Sequence, residues 1–118
     1  MASDSGRFYE NKAVEFLKIN GYKIIKRNFR SRFGEIDIIA RDNDYICFVE
    51  VKMRSAGRYY FSPQEAVDVR KRSKIKKTAL LYAANRENES FRFDILQIFQ
   101  GTDWRQYDLI KNAFSMDD

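Results

Sequence analysis

Histidine is absent from the 118-residue chain, and cysteine and proline each occur once. Without histidine there can be no Ser-His-Asp triad, no Cys-His pair, no histidine general base and no zinc site of the usual ligand sets. Catalysis here must run on carboxylates, lysine, a hard metal ion or a bound cofactor. A lone cysteine excludes a disulfide within one chain and suits a reducing compartment. Cys47 lies in an apolar segment and reads as a small buried hydrophobe. No repeat or low-complexity tract marks a linker. No stretch approaches membrane-spanning length, and the polar start Met1-Ala2-Ser3-Asp4-Ser5-Gly6 leads into no apolar signal segment. These absences predict one cytoplasmic domain over residues 1–118, with Ser115 to Asp118 frayed.

Hydrophobic residues make up 44% of the chain and aromatics 15%, enough for one core but not two. The net charge is +5, and its clustering matters more than its sign. Residues 70 to 77 hold Arg70, Lys71, Arg72, Lys74, Lys76 and Lys77, and residues 23 to 32 hold Lys23, Lys26, Arg27, Arg30 and Arg32. A solvated helical face is one account of such runs. Contact with a phosphate backbone is the other, favoured by how little acid balances them.

The main chemical signal is Gly34-Glu35-Ile36-Asp37-Ile38-Ile39-Ala40 followed by Tyr45-Ile46-Cys47-Phe48-Val49-Glu50-Val51-Lys52. Both segments have β composition, and Asp42, Asn43 and Asp44 separate them as turn formers. With Asn43-Asp44 as a two-residue loop, Ile36 faces Val51, Ile38 faces Val49 and Ala40 faces Cys47, making one face apolar. The other face carries Asp37 opposite Glu50 and Glu35 opposite Lys52; a one-residue slip would mix both faces. Two carboxylates about 5 Å apart repel by roughly 3 kcal/mol at an effective dielectric near 20. A hard divalent cation such as Mg²⁺ compensates, taking one or two carboxylates, waters and a substrate phosphate oxygen. Lys52, two residues beyond Glu50, could neutralise charge developing on the phosphate or position and deprotonate the attacking water. The alternative is a solvated sheet face bearing exposed ion pairs of little worth.

Apolar residues recur at helical spacing from about Phe8 to Asn20, with Gly21 as C-cap. Glu10 falls within the inward stripe of Ala13, Val14 and Leu17. It is either a metal ligand beside Asp37 and Glu50, directly or through a neighbour, or a first-turn acid favoured by the helix dipole. Beyond the hairpin, Arg54, Arg58, Tyr59 and Tyr60 could grip phosphates and stack on bases, or fold back on the core. Ser62-Pro63-Gln64-Glu65 reads as a helix start, and Asp68 as a restart running to about Asn85. Ser90 to Phe99 predicts a strand, in which Asp94 serves the acidic site or, more simply, the backbone. Tyr107 to Phe114 predicts a closing strand or short helix. The order of elements gives an α/β sandwich with a mixed sheet.

Asp37, followed after a 12-residue gap by Glu50-Val51-Lys52 and preceded by a helix bearing Glu10, resembles the PD-(D/E)XK nuclease core of type II restriction enzymes and archaeal Holliday-junction resolvases. More narrowly, Arg32-Phe33-Gly34-Glu35-Ile36-Asp37-Ile38-Ile39-Ala40-Arg41-Asp42, with Phe48-Val49-Glu50-Val51-Lys52 and Asn112-Ala113-Phe114, resembles the bacterial YraN-type family from about residue 6 to 114. The resemblance implies a restriction endonuclease-like sandwich, its central mixed sheet flanked by helices. It implies Asp37 and Glu50 as ligands of Mg²⁺, or Mn²⁺ in its place, Lys52 as the catalytic lysine and Glu10 as an accessory acid and ligand. The activity implied is an endonuclease on structured or duplex DNA, with Arg54, Arg58, Arg70, Lys71, Arg72, Lys74 and Lys77 as nucleic-acid contacts. A homodimer would supply the two symmetric sites that junction resolution needs. The chain departs from the pattern where Tyr9 precedes Glu10 in place of the usual glycine, and where Val69 replaces a frequent proline. A non-catalytic nucleic-acid-binding adaptor that keeps the nuclease fold is the alternative, and a protein-interaction domain docking an acidic partner a third.

Overall fold

The periodic stripe of the first helix ends where glycine permits a left-handed residue. In a computed structural model of the chain, which describes residues 4–55 and 68–117, helix α1 spans Asp4–Ile19 and Gly21 takes φ 89°. Gly21 N–H donates to the Lys18 carbonyl (3.1 Å) and Tyr22 N–H to that of Leu17 (2.9 Å), so two orphan carbonyls of the last turn are satisfied as the chain reverses. Strands β1 (Lys23–Arg30), β2 (Glu35–Asp42) and β3 (Tyr45–Ser55) follow, then helix α2 (Val69–Ala83) and strands β4 (Ser90–Gln100) and β5 (Arg105–Phe114). Asp68 caps α2 by accepting from Lys71 N–H at 2.9 Å. Arg58, Tyr59, Tyr60 and the proposed start at Ser62 to Glu65 lie outside the described residues.

The strands form one mixed sheet in the order β1-β2-β3-β4-β5. Only β3 and β4 are parallel. The chain between them contains α2, as a parallel connection requires. Helix α1 lays Ala13, Val14 and Leu17 on Ile38, Ala40, Cys47, Val49, Leu96 and Ile98 of one sheet face. Helix α2 lays Ile75, Ala79 and Tyr82 on Ile39, Ile46, Phe48, Phe93 and Ile95 of the other. The fold is thus α/β with a helix on each face, as expected. Among the described residues no helix is long and apolar enough to cross a membrane.

The double cover corrects one expectation. The face that the alternation assigned to charged residues is apolar along most of its length. Ile39, Ile46 and Phe48 lie on it beneath α2, and polar groups appear only toward its end. The loop before β2 fixes α2 there. Ser31 Oγ lies 2.8 Å from Thr78 Oγ1, and a Cβ on Gly34 would stand 3.2 Å from the Cβ of Lys74. Glycine at position 34 lets the loop and the helix approach this closely.

Candidate active site

Pairing of β2 with β3 runs from Asp42↔Tyr45 to Ile38↔Val49, enclosing the predicted Asn43-Asp44 loop, with Asn43 at φ 54°. Past Ile38↔Val49 no further pair forms. Asp37 Oδ2 accepts a hydrogen bond from Val51 N–H at 2.8 Å, so a carboxylate replaces the ladder partner where the strands part. The predicted pairs Ile36↔Val51 and Glu35↔Lys52 do not form. Ile36 belongs to the cluster beneath α2, and Glu35 pairs instead with Arg30 of β1, its carboxylate 3.6 Å from the guanidinium. The alternation rule assumes a continuous ladder, which the Asp37 side chain interrupts.

Glu50 sits beside this break, on the face of Ile46 and Phe48 by strand parity, and is only 4% exposed. Burial and then the negative charge of Asp37 push its carboxyl up to about 8, against the opposing pull of Lys71 and Lys52. Lys71, from the first turn of α2, brings its Nζ to 3.3 Å from Glu50 Oε1. Despite burial, the charges of Glu50, Asp37 and Glu35 raise the pKa of Lys71. Lys52 lies half-buried two residues beyond Glu50, on the same side of the strand. A buried acid whose proton affinity is raised by burial and by a neighbouring carboxylate, with two lysines beside it, makes this cluster the candidate site.

The other acids separate by role. Glu10 lies at the contact of α1 with β1, where its Oε1 accepts from Arg27 Nε (2.8 Å) and Asn28 Nδ2 (3.0 Å). Asn28 has φ 54° and stands between the pairs Arg27↔Ile38 and Phe29↔Ile36, across from Asp37. Glu10 is therefore tied to the strand position facing Asp37, with Arg27 neutralising its charge. Among the described residues no group of three or more Cys, Asp or Glu is arranged to hold a metal ion. Asp94 is fully buried on the α1 face, where it accepts from Tyr22 Oη, Arg92 and Asn112 N–H. Arg92 and Lys111 also reach Asp42. Asp94 thus serves a structural network on the far side of the sheet, the backbone-bonding alternative weighed for it. Cys47 is buried as expected, and burial pushes its thiol up to about 12.

Of the basic residues, Lys71 faces the acids, and Arg70, Lys74 and Lys77 remain exposed along α2. Arg72 and Lys76 lie over the Phe114 ring, and Lys77 lies over Phe33. Val69, Arg72, Ser73, Lys76, Lys77, Leu80 and Met116 line a shallow groove of about 520 Å³. Arg54 extends from the end of β3, where its Nε is buried. Three residues were not legible as parts of this region: Arg27 and Asn28, which hold Glu10, and Gln97. Gln97 occupies the β4 position beside Lys52 and is 1% exposed, its Oε1 having no hydrogen-bond partner among the described residues. A buried glutamine amid the apolar run of β4 was the available signal.

These features define a mixed-sheet α/β protein with a carboxylate pair and lysines where two central strands part. The sequence model of uncharacterised protein family UPF0102 matches residues 9–98, and the chain belongs to that family. A UPF0102 protein of Clostridium botulinum (strain 657 / Type Ba4) is 46% identical over 118 residues, covering 96% of this chain and 95% of its own length. One from Persephonella marina is 46% identical over 114 residues, covering 95% and 94%, and one from Acetivibrio thermocellus is 48% identical over 118 residues, covering 93% and 90%.

Proposed function

We propose that the protein is a metal-dependent endonuclease of the restriction endonuclease-like kind, hydrolysing phosphodiester bonds in structured or duplex DNA. The carrying observation is the opened ladder, where Asp37 binds the Val51 amide beside the buried Glu50. The donor set fits Mg²⁺, or Mn²⁺ in its place: the two acids offer only oxygen, and Mg²⁺ needs no more than one or two protein carboxylates. Asp37 and Glu50 would hold the ion, which when bound polarises the phosphate and lowers the pKa of a coordinated water. Lys52 orients the attacking water and offsets charge developing on the phosphate oxygens. The Val51 amide fixes the Asp37 carboxylate, so little reorganisation accompanies substrate arrival. Glu10, held by Arg27 and Asn28, acts as an accessory acid by buttressing the β1 position across from Asp37. Arg70, Arg72, Lys74 and Lys77 hold the DNA backbone, with Arg54 at the end of β3 as a further contact and Arg58, outside the described residues, as another by its place in the sequence. Two copies of the chain would place two sites on a four-way junction.

The test is incubation with labelled four-way-junction, duplex and single-stranded DNA in Mg²⁺, Mn²⁺ or EDTA, alongside Asp37→Ala and Lys52→Ala. Metal-dependent cutting lost in both variants is the expected result. Binding without cutting under every metal, unchanged in the variants, would leave the non-catalytic adaptor as the function.

A further inference from the structure

The first turn of α2 delivers a positive charge to the place where a metal ion would neutralise the acids. Lys71 Nζ stands 3.3 Å from Glu50 Oε1, whereas Glu50 is 4% exposed and depends on near neighbours for compensation. Lys71 itself is 44% exposed at its side chain. Asp68 accepts from the backbone N–H of Lys71, fixing where the side chain leaves the helix, and among the described residues the ammonium is held only through its ion pair with Glu50. Resting on the nuclease reading above, we propose that Lys71 is a built-in counter-cation, occupying the acidic pair in the metal-free protein and displaced when a divalent ion binds. Two cations cannot share one buried carboxylate without strong repulsion. The released ammonium then lies in the row of Arg70, Arg72 and Lys74 and becomes a phosphate contact. Metal occupancy is in this way coupled to DNA affinity through one side chain. A premature ion is resisted, and the loaded site gains a phosphate ligand.

Mn²⁺ binding to the DNA-free protein measures this directly, by isothermal titration calorimetry of wild type, Lys71→Met, Lys71→Arg and the double variant Asp37→Asn with Glu50→Gln. Lys71→Met should bind Mn²⁺ about tenfold tighter than wild type, and Lys71→Arg should not. Loss of a merely structural contact would loosen the site rather than tighten it. In parallel, Lys71→Met should weaken duplex binding when Ca²⁺ is present and leave it unchanged in EDTA. If wild type binds Mn²⁺ and Lys71→Met binds it equally or more weakly, the counter-cation role falls and the nuclease reading stands. If neither binds Mn²⁺ beyond the double variant, the metal site falls and takes the counter-cation with it.

Discussion

Replacing Glu50 with glutamine should stabilise the metal-free protein in alkaline solution while abolishing the proposed metal site. Glu50 is 4% exposed, and its carboxyl is pushed up to about 8 from the ordinary 4.5 by burial and by Asp37. The folded state therefore holds a proton that the unfolded chain has already released. Stability falls as pH rises from about 4.5 to about 8, by at most roughly 1.4 kcal/mol per pH unit, and stays reduced above that window. The full window corresponds to an upper bound of about 5 kcal/mol. Relaxation around a buried acid reduces this to about 2–3 kcal/mol. Glutamine has nearly the same shape, no charge, and an amide that can donate to Asp37. The freed Lys71, 44% exposed at its side chain, still reaches solvent and costs little. Glu50→Gln should thus match wild type near pH 5 and exceed it by about 2–3 kcal/mol at pH 9. With an unfolding entropy of about 2.1 cal/mol/K per residue, that is about 8–12 °C in Tm. Urea and thermal unfolding in EDTA, followed by far-UV circular dichroism at pH 5, 7 and 9, measure the difference. A variant less stable than wild type at pH 9, or a difference independent of pH, would refute a buried acid kept for function at the expense of stability.

On the opposite face, Arg92→Leu leaves Asp94 and Asp42 without their guanidinium, and chemical denaturation should show a loss of about 3–5 kcal/mol; a loss below about 1 would mean the network is solvated. Gly34→Val forces α2 away from the loop before β2, because its Cβ would lie 3.2 Å from the Cβ of Lys74; a cost of roughly 1–3 kcal/mol should appear in thermal unfolding, and none if the loop simply yields. Lys74→Gln combined with Lys77→Gln should weaken duplex binding in fluorescence anisotropy and flatten the plot of log K against log salt by about 1.8. An unchanged slope would remove this face of α2 from the proposed DNA path.

Local features were legible because local chemistry decides them. Gly21 ends α1, Asn43-Asp44 closes the hairpin, Asp68 caps α2, and β4 begins at Ser90 as the pattern predicts. The faces of the central strands were less legible. Strands covered on both sides carry near-continuous apolar runs, so Ile38-Ile39-Ala40 and Cys47-Phe48-Val49 lose the period of two that distinguishes core from solvent. Register was correct as far as Ile38↔Val49 and then failed, because a hydrogen bond from the Val51 amide to a side chain leaves no mark on the alternation.

Composition alone determined that no histidine chemistry is possible here, and spacing alone put Asp37, Glu50 and Lys52 on adjoining strands. Tertiary structure decided which of the charges are costly. Glu50 is buried because α2 covers its face, Lys71 reaches it from the first turn of that helix, and Glu10 is neutralised by Arg27 of β1. Asp94 lies equally deep and is satisfied by Arg92, Tyr22 and Asn112 N–H, so it belongs to the scaffold. Burial depends on everything packed around a residue, much of it distant along the chain. A carboxylate therefore becomes a compensated support or a buried acid with a raised proton affinity only once the helices have closed over the sheet.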